Sequence, residues 1–141
     1  MQLFNGKDLT GWMCRPDGWH VEDGCIAWAP KAGYIWTEQQ FGDFVLTCRF
    51  KIDPGVNSGI FFRTADADDP VQTGIEMQVL DTFGKPVDVH SCGAVYDCLA
   101  PGDSAEKPAG EWNDVRIECR DNLIRIDLNG RRIIDMDLND W

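Results

Sequence analysis

The chain has 141 residues with 13 Lys and Arg against 24 Asp and Glu, a formal charge of −11, and 43% hydrophobic residues. This size suits one globular domain over 1–141, able to hold a core without disulfide or metal staples. The negative balance repels phosphate backbones and excludes nucleic acid as a partner, and no apolar run approaches the roughly 18 residues of a membrane span.

Strand signals recur along the sequence between Gly, Asn, Asp and Pro. Phe44, Leu46, Cys48 and Phe50 alternate with Thr47, Arg49 and Lys51, the pattern of a strand with one buried face, and this makes Cys48 a small core hydrophobe. In Ser58-Gly59-Ile60-Phe61-Phe62-Arg63 the alternation sets Ile60 and Phe62 on one side and Phe61 with Arg63 on the other. Ala65–Val71, with Asp66, Asp68 and Asp69, reads as a solvated loop, because it lacks the Gly and closing Glu of an EF-hand. Gly74-Ile75-Glu76-Met77-Gln78-Val79-Leu80-Asp81 turns Ile75, Met77 and Val79 inward and Glu76 with Gln78 outward. A further short strand, Gly93-Ala94-Val95-Tyr96, precedes a long loop from Leu99 to Glu111. Val115, Ile117 and Cys119, then Ile124, Ile126 and Leu128, form the buried sets of two more strands. Asn129-Gly130 tolerates positive φ at both positions and closes a type I′ hairpin onto Ile133-Ile134. No 3.6-residue apolar stripe persists, and 18 of the 24 acids are Asp, which prefers turns, against 6 Glu. The fold expected is all-β, a two-sheet antiparallel β-sandwich or jelly roll, with most of the six Trp in its core.

Arg63, Glu76 and Gln78 are thereby expected on one outward sheet face. Neighbouring strands lie about 4.8 Å apart and alternate residues about 6.7 Å apart, a spacing that surrounds one sugar-sized ligand. Tyr96 adds an aromatic floor, and Gly59, Gly74 and Gly93 leave room for a close approach by ligand or backbone. The same outward Glu, Gln and Arg also suit any water-facing sheet, where cross-strand charge pairs contribute only about 0.2–1 kcal/mol. His90 reads as a loop histidine before a metal ligand, and the six cysteines show neither CxxC nor Cys/His ligand spacing. Cys92 beside His90 is a weak nucleophile signal. Gln2-Leu3-Phe4-Asn5-Gly6 after Met1 has neither the basic nor the apolar region of a signal peptide, which leaves the compartment open.

Leu3-Phe4-Asn5-Gly6-Lys7-Asp8-Leu9-Thr10-Gly11-Trp12, Trp19-His20-Val21-Glu22-Asp23-Gly24, Phe41-Gly42-Asp43-Phe44, Asn57 to Arg63, Glu76 to Asp81 and Gly110-Glu111-Trp112-Asn113 resemble, in order and spacing, the successive signatures of the 3-keto-disaccharide hydrolase family. The resemblance implies a concanavalin A-like jelly roll, a carbohydrate substrate bound at the concave sheet, and a periplasmic or secreted bacterial enzyme. Glucanases on that fold carry an E-x-D-x-x-E strand, whereas this chain reads Glu76-x-Gln78-x-x-Asp81, and the odd offset sends Glu76 and Asp81 to opposite faces. Two-carboxylate hydrolysis is then not promised. A 3-keto sugar offers elimination and rehydration instead, needing one base, an oxyanion stabiliser and an acid. Glu76 is the candidate base, Arg63 or a divalent metal ion the stabiliser, and His90 or Tyr96 the acid. Gln78, Asp81, Asn57 and Trp112 are candidates for holding the sugar. The alternatives are a non-catalytic, lectin-like carbohydrate-binding module and a structural or protein-interaction domain. Family members continue past Asp135-Met136-Asp137-Leu138 through two further strands, so the resemblance also implies a jelly roll lacking its C-terminal closing strands, with a homo-oligomer as one way to cover the edge.

Overall fold

The computed structural model describes residues 1–141, which divide into two compact units, Met1–Phe41 and Gly42–Trp141. The first holds β1 (Trp12–Cys14), β2 (Trp19–Glu22), β3 (Cys25–Trp28) and β4 (Ile35–Thr37), with β1 antiparallel to β4 and β2 antiparallel to β3. The β2–β3 corner is Asp23-Gly24, both at positive φ, as a tight two-residue hairpin requires. Trp12 and Trp19 turn their indole N–H groups onto the carbonyls of Leu3 and Gly33.

The second unit runs β5 (Phe44–Phe50), β6 (Asn57–Phe62), a single helical turn α1 (Pro70–Thr73), β7 (Ile75–Leu80), β8 (Asn113–Arg120), β9 (Leu123–Leu128) and β10 (Arg131–Asp137). Four of these strands form an antiparallel sheet in the order β10-β9-β8-β5, and β6 pairs with β7 in a second layer. Val95 bridges Met77 and widens that layer by a short third segment. The architecture is an all-β sandwich. Its core joins Phe62, Met77 and Val95 from the second layer to Val115, Ile117, Cys119, Ile124, Ile126, Leu128 and Ile134 from the first. Phe44, Leu46, Cys48 and Phe50 pack against it while Val45, Thr47 and Arg49 face water, so the alternation along β5 is the one its sequence predicts.

Asn129 and Gly130 take φ of 51° and 79° and join Leu128 to Arg131. Just beyond, the β9–β10 register shifts between Arg132 and Ile134, and Ile133 and Ile134 are both buried in consequence. The core is largely aliphatic, with Phe62 its one buried aromatic, and contains no Trp, contrary to the expectation above. Four tryptophans are half-buried, and Trp28 and Trp141 are 52% and 63% exposed. The physical reason is volume: Ile, Val, Leu and Met on paired strands fill the narrow interlayer space, leaving the large indoles on strand ends and short hairpins. The Asp66–Asp69 stretch is a loop braced by its own side chains, Asp66 accepting from the Asp68 amide and the Thr73 hydroxyl bonding the carbonyls of Asp66 and Asp69.

Candidate functional site

Antiparallel pairing fixes which residues share a face. Asn57 stands opposite Leu80, Gly59 opposite Gln78 and Phe61 opposite Glu76, so these six line the side of β6 and β7 turned away from the core. On the far side of β7, the Tyr96 amide donates to the Glu76 carbonyl at 3.0 Å and the Gln78 amide to the Ala94 carbonyl at 2.9 Å. The Val95–Met77 bridge turns its side chains into the core, which leaves Ala94 and Tyr96 on the Glu76 face.

Glu76 lies half-buried on this face, and burial alone holds its carboxyl above the usual carboxylate range. Its side chain crosses toward Gly59: a Cβ built there would stand 2.7 and 2.8 Å from Glu76 Cδ and Cγ and would overlap Oε1. Gln78 is outward by register yet covered, at 2% exposure, and its Nε2 donates to Asn57 Oδ1 at 3.3 Å. His90 packs its ring on Tyr96, centroids 5.1 Å apart, and sets Nε2 3.2 Å from Asp97 Oδ1. Asp97 itself is at positive φ with its amide on the Val89 carbonyl, so the chain doubles back between His90 and Asp97 and brings them together. Sequence reasoning missed Asp97; the signal was Gly93, at φ 88°, at the bend that allows the return.

Strand pairing thus joins Glu76, Gln78 and Asn57, the Tyr96 amide bonds the Glu76 carbonyl, and the His90 ring packs on Tyr96. Arg63 is not with them. The strand ends at Phe62, Arg63 takes φ 51°, and its guanidinium bonds the Asp43 carboxylate at 3.1 Å and the Asp121 carbonyl, which removes it from the face that strict alternation had given it. Asp81 Oδ2 accepts the Gly55 amide at 2.9 Å and braces the loop before β6. Trp112 lies under Arg49 and Lys51, each 5.2 Å from its ring, on the water side of β5. A Cβ at Gly74 would press on Thr64 Oγ1 and the Pro70 carbonyl, and one at Gly93 on Ile133 Cδ1, so these two glycines serve internal packing.

No position gathers three or more His, Cys, Asp or Glu side chains in a metal-binding arrangement, so the residues present do not fit the divalent ion considered above. All six cysteines are free thiols. Burial pushes Cys92 up to about 11, which keeps it protonated and unfit as a nucleophile beside His90. What the Glu76 face offers is one carboxylate of raised basicity and an amide pair, with the Tyr96 phenol on the adjoining segment and a carboxylate-held imidazole packed on that ring.

A family model described as the 3-keto-alpha-glucoside-1,2-lyase-like domain matches residues 1–141. A curated 3-keto-disaccharide hydrolase from Bacteroides thetaiotaomicron is 27% identical over 146 residues, which cover 82% of this chain and 50% of the relative. The chain thus spans about half the length of that curated relative. A crystal structure from Parabacteroides distasonis, provisionally named a glycosyl hydrolase, superposes with a TM-score of 0.92 at 33% identity, covering 100% of this chain and 73% of the other. A second from the same organism, with the same provisional name, gives 0.87 at 28% identity over 97% of this chain and 71% of the other.

Proposed function

The chain belongs to the 3-keto-alpha-glucoside-1,2-lyase-like family, and from that premise we propose that it acts on 3-keto-glycosides, cleaving the glycosidic bond by elimination across C1 and C2 followed by addition of water. The observation that carries this reading is a single half-buried carboxylate, Glu76, on a sheet face with no second carboxylate opposite it in the β6–β7 pairing. Direct hydrolysis by two carboxylates needs a partner about 5–5.5 Å or 6.5–9.5 Å away. One carboxylate of raised basicity suits removal of the proton next to a ketone.

In this reading Glu76 takes the C2 proton, and the C2–H electrons pass into the C3 carbonyl as an enolate. The Tyr96 hydroxyl donates a hydrogen bond to that oxygen, the role first given to Arg63, whose guanidinium is committed to Asp43 and Asp121. The enolate collapses to a C1–C2 double bond as the C1–O bond breaks. His90, as the imidazolium whose Nε2–H the Asp97 carboxylate accepts, supplies the leaving oxygen's proton from Nδ1. Water then adds at C1, its proton passing to the now neutral His90, and C2 regains a proton from Glu76 after exchange with solvent. Asn57, whose Oδ1 is held by Gln78, turns its amide nitrogen to a sugar hydroxyl. The relative named a 3-keto-disaccharide hydrolase and the 1,2-lyase in the family description both support this chemistry.

The test is turnover of a 3-keto-disaccharide by the wild-type chain and by Glu76→Gln, with binding measured in parallel. Turnover that falls by two or more orders of magnitude while binding persists supports the proposal. Binding without turnover by the wild type favours the lectin-like module, and near-normal turnover by Glu76→Gln removes Glu76 from the chemistry.

A further inference from the structure

We infer that Gly59 is a positioning residue for Glu76: the space where its side chain would stand is the seat of the Glu76 carboxyl, which holds that group flat across β6. The inference rests on the reading of Glu76 as the base, and it adds a residue that acts only through its lack of atoms. Three observations carry it. A Cβ on Gly59 would overlap Glu76 Oε1 and stand 2.7 Å from Cδ. By register Gly59 faces Gln78 while Glu76 faces Phe61, so the carboxyl reaches its seat diagonally, one pair along the ladder, as long side chains on a sheet can. Gly59 also needs no glycine for its backbone: it is absent from the positive-φ residues and sits in a regular antiparallel strand. Backbone conformation therefore does not explain the glycine, and the side chain lying on it does.

The seat accounts for the raised basicity of Glu76 as well. Lying over the strand, the carboxylate loses water without gaining a cation, and desolvation is its single perturbation. The three atoms that an Ala Cβ at 59 would meet first all belong to the flexible Glu76 side chain, so the strand stays paired and the carboxyl swings outward into water. In that state the base is weaker and displaced from the bound C2 proton.

The experiment compares Gly59→Ala, Glu76→Ala and the double variant by thermal unfolding, and compares wild type with Gly59→Ala by kinetics and by carbon-13 titration of the Glu76 carboxyl. The seat predicts that Gly59→Ala lowers kcat at least tenfold with a smaller change in KM. Its acidic limb of the rate profile and the Glu76 titration midpoint both move to lower pH. It also predicts coupling in stability: Gly59→Ala is better tolerated once Glu76→Ala has emptied the seat, a result readable even if Gly59→Ala alone folds poorly. Additive melting shifts with an unmoved titration midpoint overturn the seat whatever Glu76 does in catalysis. Coupling and a moved midpoint, together with full turnover by Glu76→Gln, keep the seat and overturn the catalytic reading on which its function rests.

Discussion

Glu76 is where folding and chemistry pull against each other. Its carboxyl titrates higher in the folded chain than in the unfolded one, because burial penalises the charged form. Between the two values the folded chain holds the extra proton, so the stability Glu76 leaves to the fold is fullest below the unfolded value and is lost as pH rises through the folded one. Glu76→Gln removes that loss. Melting temperatures of the variant and wild type, followed from acid to neutral pH, are expected to diverge in the variant's favour as pH rises. A variant less stable at neutral pH would contradict the desolvated placement. The thiols give a second test at this scale. Burial raises Cys48, Cys92 and Cys119 to about 11 and raises Cys98 as well. Under native conditions at neutral pH, iodoacetamide is expected to modify Cys14 and Cys25 before these four, and to reach the two buried thiols, Cys92 and Cys119, only with denaturant. Mass-spectrometric mapping of the alkylated peptides decides this.

At the scale of elements, the Leu99–Glu111 loop is held by a buried polar cluster beside the apolar packing of Leu99 and Ala105 on the core. Glu106 accepts the Thr82 hydroxyl at 2.8 Å and the Ser104 hydroxyl at 3.0 Å. Asn113 Oδ1 accepts the Lys107 amide and the Asn129 side chain, and Asn129 also donates to the Ala105 carbonyl and accepts the Asp114 amide. The turn residue of the β9–β10 hairpin thus also pins the loop, at φ 51° where Asn is tolerated. Asn129→Ala is expected to cost about 2 kcal/mol in urea unfolding, because it strains the turn and orphans buried groups, and to speed hydrogen exchange at the Lys107 amide. The hairpin itself was legible in Asn-Gly and in the alternation of Ile124, Ile126 and Leu128, since period two and turn chemistry are local. The loop's anchoring was not, because Glu106 meets Thr82 across 24 residues. The same limit governs the site: alternation places Glu76 and Gln78 on one face, but a single positive φ at Arg63 and the return of the chain from His90 to Asp97 lie outside any periodic pattern.

Over the Gly42–Trp141 unit, the two layers turn different outer faces to water. The four-stranded sheet carries a lattice of ion pairs in which Arg116 meets Glu118 and Asp127, Arg132 meets Asp127 and Asp135, and Arg125 meets Asp135. A shallow groove of about 690 Å³ runs over it past Arg49, Arg116 and Arg132, but every one of these cations has an acidic partner. Exposed pairs of this kind contribute little, so Arg132→Ala is expected to cost at most about 1 kcal/mol and to leave turnover unchanged. The β6–β7 face carries the opposite pattern, a carboxylate with no cation and polar groups held by one another, which supports the site proposed there. The central claim, proton removal from C2 by Glu76, is tested most directly by turnover of a 3-keto-disaccharide in deuterium oxide with an enzyme-free control. Elimination and rehydration predict deuterium at C2 of the released 3-keto sugar above the control, lost in Glu76→Gln; a product formed at full rate with its C2 hydrogen retained would contradict the account.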